Sequence, residues 1–110
     1  MVPLIWTEPA RNDLESVFGY FNAISTKVAI HYSEEFIKAG DRLKIFPEMG
    51  PLEPSLEHLK RNYRYVLVQH RYKLIYLFEN EVCSILMIWD CKKNPKLLLS
   101  RDNRIISKII

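Results

Sequence analysis

The chain has 110 residues, 48% of them hydrophobic and 26% charged. This is the make-up of one ordinary globular domain and excludes a disordered polymer. A domain of this size buries roughly two thirds of its unfolded surface, so it folds without a metal or a disulfide. No apolar run approaches the ~20 residues that span a bilayer, which argues against membrane partners. The first residues lack a basic segment followed by a long apolar one, so a cytoplasmic chain with no signal peptide is expected. Its two cysteines, Cys83 and Cys91, then stay reduced, and without CxxC spacing they imply no metal, redox centre or other cofactor.

The net charge of +3 hides an asymmetry. Residues 1–57 carry five Lys/Arg against nine Asp/Glu; residues 58–110 carry eleven against four. An acidic half joined to a basic half suggests that the basic side meets an anionic partner. A solvated basic face with no partner is the plainer alternative.

Val2 to Thr7 reads as a first strand. Thr7-Glu8-Pro9 opens a helix, with a capping hydroxyl, an acid at the positive dipole end and a first-turn proline. Ala10, Leu14, Val17, Phe18, Phe21 and Ile24 follow at helical steps and give it one apolar face. Ser25 or Thr26 caps a second helix with apolar positions at Ala29, Tyr32, Phe36, Ala39, Leu43 and Phe46. The break between the helices allows only an antiparallel hairpin. Pro47 ends the second helix, and the stretch to Pro54 is loop, with three prolines and a glycine in eight residues. Ser55 to Leu59 has room for one helical turn.

Tyr63 to Trp89 is the body of the fold. Three runs rich in β-branched and aromatic residues are separated by Gln69-His70-Arg71 and Glu79-Asn80-Glu81, which predicts an antiparallel meander. Strand parity groups Tyr72, Leu74, Tyr76 and Phe78 as its apolar face. The expected pairing sets Arg64 and Lys73 together on the less buried face. After Asp90-Cys91-Lys92-Lys93-Asn94-Pro95, a short helix is expected over Lys96 to Ser100, then a tail over 101–110. The predicted class is α+β, in the order β-α-α-β-β-β(-α), as a single domain over 1–100.

This order, with Ile5-Trp6-Thr7, Ala10, Asp13-Leu14, Leu43, Phe46-Pro47, Gly50, Tyr63-Arg64, Tyr72-Lys73-Leu74-Ile75-Tyr76, Val82, Ile85, Ile88-Trp89 and Lys92-Lys93-Asn94-Pro95, resembles the RelE/ParE superfamily. These are bacterial toxins of type II toxin–antitoxin systems, the plasmid-stabilising addiction modules. The resemblance runs from about Leu4 to Leu98. It implies a cognate antitoxin and one of two targets. ParE-like members block DNA gyrase. RelE-like members cut messenger RNA in the ribosome, which takes a base, cations for the transition state and an acid.

By the resemblance, Arg64, Lys73 and Lys93 stand where the nucleases carry cations, and His70 is an available proton carrier. The set is incomplete. Val66 replaces a second basic residue, Leu98 or Leu99 stands in place of a stacking tyrosine, and His70 and His58 sit away from the expected C-terminal position. This favours the gyrase-binding, non-enzymatic reading over an endoribonuclease; a degenerate, non-toxic antitoxin-binding member is a third reading. Lys60, Arg61, Arg64, Arg71, Lys73, Lys92, Lys93 and Lys96 are the candidates for target or nucleic-acid contact. Arg64 has a structural alternative, pairing with Glu48 or Glu53. Antitoxin contacts are expected at Tyr32 and Phe36 on the second helix and at Ile105 and Ile106 in the tail. A homodimer or an antitoxin-bound heterotetramer is the expected assembly.

Overall fold

A computed structural model describes residues 1–93. The predicted helix over Lys96 to Ser100, Lys96 itself, Leu98 and Leu99, and the tail with Ile105 and Ile106 lie outside the described residues. The elements are β1 (Leu4–Trp6), α1 (Glu8–Asn22), α2 (Thr26–Ile45), a 3-10 helix (Pro54–Leu59), β2 (Tyr63–Val68), β3 (Tyr72–Glu79) and β4 (Val82–Asp90). They form one four-stranded sheet in the order β1-β4-β3-β2, with β1 parallel to β4 and the other pairs antiparallel.

The predicted helix signals act as read. Thr7 caps α1 by accepting from Ala10 N at 3.4 Å, and Ser25 caps α2 by accepting from Val28 N at 3.3 Å. Thr7 also donates its hydroxyl to Ile85 O at 2.8 Å, so the same residue starts the helix and docks it on the sheet. Asp13, nearly two turns on, accepts from Ile88 N at 2.8 Å. These contacts fall beside a bulge in β4. Ile75 pairs with Met87 but Tyr76 pairs with Ile85, so Leu86 is the extra residue and parity switches there.

One core lies between the hairpin and the sheet. It contains Ala10, Phe21, Ala29, Phe36, Ala39, Leu43, Val68, Tyr72, Leu74, Tyr76, Cys83, Ile85 and Ile88. Ile24 and Phe46, expected on the apolar faces, sit at helix ends and are exposed. The other sheet face is also buried, with Leu56 of the 3-10 helix in the same cluster as Tyr63, Ile75, Leu77, Leu86, Met87 and Trp89. The second face, expected to be the less buried one, thus carries a core of its own.

The register also separates Arg64 from Lys73. Val68 pairs with Tyr72 across the three-residue connection 69–71, so Arg64 lies opposite Tyr76 and Lys73 opposite Leu67. Arg64 therefore shares the hairpin face with Tyr76, and Lys73 the face with Ile75. A register moved by one residue would have put both cations on one face.

Candidate functional site

The cations that the sequence singles out are not gathered into one site. Arg64 turns toward the loop after α2. Its Nη1 donates to Gly50 O at 2.8 Å and to Glu48 O at 3.4 Å. Glu48 thus contributes its main-chain oxygen, and neither expected carboxylate pairs with Arg64. Gly50 is held from a second direction, because its N–H donates to the buried Tyr76 hydroxyl at 3.0 Å. Burial pushes the Tyr76 hydroxyl above its ordinary pKa, and the Gly50 N–H works against that shift.

Lys73 lies on the opposite face and is neutralised. Its Nζ donates to Glu53 Oε1 at 2.6 Å and Oε2 at 3.2 Å, and it sits 4.4 Å from the Tyr65 ring centroid. The Glu53 side chain is fully buried, and it also accepts from Ser55 N at 3.4 Å at the start of the 3-10 helix. A buried carboxylate needs such a partner, so Lys73 and Glu53 together fasten the loop and the 3-10 helix to the sheet.

Arg71 and Arg61 are also engaged. Arg71 pairs with Asp90 at 3.1 Å and is ringed by Tyr20, Phe21 and Tyr72, with centroids 5.1–5.7 Å from its guanidinium carbon. The hydrogen bond to Asp90 raises the Arg71 pKa. Burial pushes the Asp90 carboxyl up, but hydrogen bonds from Arg71 and the Lys92 N–H outweigh it and hold Asp90 below the usual range. Arg61 bonds Glu79 and thereby lowers the Glu79 pKa.

Lys60, Lys92 and Lys93 are exposed but stand apart. Lys60 precedes the Tyr63 end of β2, which pairs with Leu77 late in β3. Lys92 and Lys93 follow Asp90, which pairs with Tyr72 at the start of β3. His70 is an exposed turn residue at φ 55°. Of the four nuclease candidates, Arg64 is thus a loop clamp, Lys73 a buried-pair partner, and His70 and Lys93 are surface residues at the other end of the sheet from Arg64. Among the described residues neither Arg64 nor Lys73 has a histidine as a bonded partner.

Burial pushes Cys83 up to about 11 and also raises Cys91. Among the described residues no group of three His, Cys, Asp or Glu side chains is placed to hold a metal. None of the described helices is long and apolar enough to cross a membrane.

The two residues expected to meet the antitoxin on α2 both pack inward. Phe36 is fully buried, and Tyr32 stacks on Phe21 at 4.0 Å as part of the hairpin's packing. The 3.6-residue period placed both on the inward face of α2, where the sheet occupies them. The outward face instead carries a shallow apolar groove of about 360 Å³ lined by Phe18, Ile30, Ser33, Glu34, Ile37 and Lys38. Ile30 and Ile37 are 47% and 45% exposed. Their seven-residue spacing on α2 was a readable signal, but it was masked by the stronger inward seam.

A helical hairpin laid on one face of a four-stranded mixed sheet is the ParE-like fold. The family model for the ParE toxin of the type II toxin–antitoxin system parDE matches residues 4–95, and the chain belongs to that family. Among solved structures, the chromosomal ParDE TA system from P. aeruginosa contains a chain of the same fold. The TM-score is 0.66 at 17% identity, covering 82% of this chain and 96% of that one. No curated protein matches in sequence.

Proposed function

We propose that this chain is a cytoplasmic growth-inhibiting toxin that acts by binding DNA gyrase and is neutralised by a cognate antitoxin. The observation that carries this over the nuclease reading is the dispersal of the candidate cations. Arg64 is spent on the carbonyls of Gly50 and Glu48, and Lys73 on a buried Glu53 across the sheet. Phosphodiester cleavage requires cations and proton carriers held around one reacting phosphate. Inhibition by binding requires only a rigid surface. Membership of the ParE toxin family supports the same side of the choice.

For the antitoxin, the outward groove around Phe18, Ile30 and Ile37 suits the apolar face of a helix laid on the hairpin. The double variant His70→Ala, Lys93→Ala touches the two nuclease candidates that carry no structural duty. It is expected to arrest growth like the parent when expressed without antitoxin. Loss of arrest in a folded double variant, together with loss of message cleavage seen in the parent, would favour the endoribonuclease.

A further inference from the structure

The free edge of β2 is only half covered. The loop after α2 runs antiparallel along its first part, with Leu52 bridging to Arg64. Glu53 N donates to Tyr63 O at 2.8 Å, and Tyr65 N donates to Pro51 O at 3.1 Å. The next outward-facing backbone groups in this alternating row are those of Leu67. Leu67 lies beyond the reach of the loop, has no protein partner on that side among the described residues, and is 54% exposed.

A cavity of about 380 Å³ opens there, between the edge, α2 and the loop, lined by Ala39, Arg42, Gly50, Pro51, Val66 and Leu67 among others. Its walls are fixed. Arg64 and Tyr76 lock Gly50 in place, and Ala39 keeps the α2 side open by its small size. Arg42 supplies the charge. Its neighbours Lys38 and Lys44 are each paired with the acid three residues before, Glu35 and Asp41. Arg42 has Lys38, Ala39, Ile45 and Phe46 at those helical spacings and makes no ion pair among the described residues.

We propose that this slot takes an extended segment of the antitoxin, paired through its backbone to Leu67 and carrying a carboxylate that meets Arg42. The inference rests on the antitoxin reading above and adds the place and the chemistry of one contact. An unpaired sheet edge recruits a strand, and an unpaired guanidinium beside it selects an acidic one.

The test uses the full chain and the product of the reading frame adjacent to its gene, with hydrogen exchange at the Leu67 amide and affinities for the parent, Arg42→Lys and Arg42→Glu. Binding should slow Leu67 exchange at least about tenfold. Arg42→Glu should weaken binding about tenfold, with Arg42→Lys close to the parent. Binding with Leu67 exchange and the Arg42→Glu affinity both unchanged would overturn the slot and leave the antitoxin reading standing. No binding to the parent chain would overturn both.

Discussion

Replacing Lys73 with alanine is expected to destabilise the fold by about 3 kcal/mol, and to do so without the selective loss of activity that a catalytic cation would show. The reason is the partner left behind. Glu53 has a fully buried side chain, and both of its oxygens receive Lys73 Nζ, at 2.6 and 3.2 Å. Without Lys73 its charge keeps only the weak bond from Ser55 N at 3.4 Å. The Lys73 side chain is 24% exposed, which places the cost at the lower end for a broken buried pair.

A loss of this size lowers the melting temperature of such a domain by roughly 15 °C. The double variant Lys73→Met, Glu53→Gln should recover most of the loss, because no buried charge remains. Urea unfolding of the parent, both single variants and the double variant measures the coupling. A Lys73→Ala chain as stable as its parent would show that the pair does not hold the loop.

Gly50→Ala should cost a similar amount, about 3 kcal/mol, by a different route. A Cβ on Gly50 would collide with Tyr65 O and stand 2.9 Å from the Tyr76 hydroxyl. The first of these is backbone of the central meander and cannot give way as a side-chain tip does. The loop must move instead. It then gives up the Arg64 bond to Gly50 O at 2.8 Å and leaves the buried Tyr76 hydroxyl without its donor. Both losses add to the steric cost. Equilibrium unfolding measures the total, and Gly50→Ala combined with Tyr76→Phe should fall short of the sum of the two single effects, since both remove the same hydrogen bond. Strict additivity would place the strain elsewhere.

Much of the fold was legible because its signals are local. Thr7, Ser25 and Pro47 mark helix ends through their own hydroxyls and ring, and the β-branched and aromatic residues of the runs flanking Asn80-Glu81 reveal strands. The face assignment was not local. With a two-residue turn after Val68, Arg64 and Lys73 would have shared a face; the three-residue connection places Val68 opposite Tyr72 and parts them. Gln69-His70-Arg71 carries no glycine to pin the turn, and two of its residues adopt positive φ; the expected pairing was one residue out of register even across this three-residue break.

The bulge at Leu86 was equally hidden. Val82 to Trp89 is apolar almost throughout and buried on both faces, so a period of two leaves no trace in it. The site was the least legible part. The acceptors of Arg64 are the carbonyls of Gly50 and Glu48, which carry no signal in side-chain chemistry. Glu53 was weighed as a partner for Arg64 and belongs to Lys73. Arg42 could have been found, because it alone among the charged residues late in α2 lacks an opposite charge at helical spacing.

The central claim is that this scaffold inhibits by binding gyrase and does not cut messages. The most direct measurement is DNA supercoiling by purified gyrase in the presence of the purified chain, run beside primer-extension mapping of messages from cells expressing it. Loss of supercoiling with uncut messages is the expected result. Cuts at codon boundaries with supercoiling untouched would contradict it.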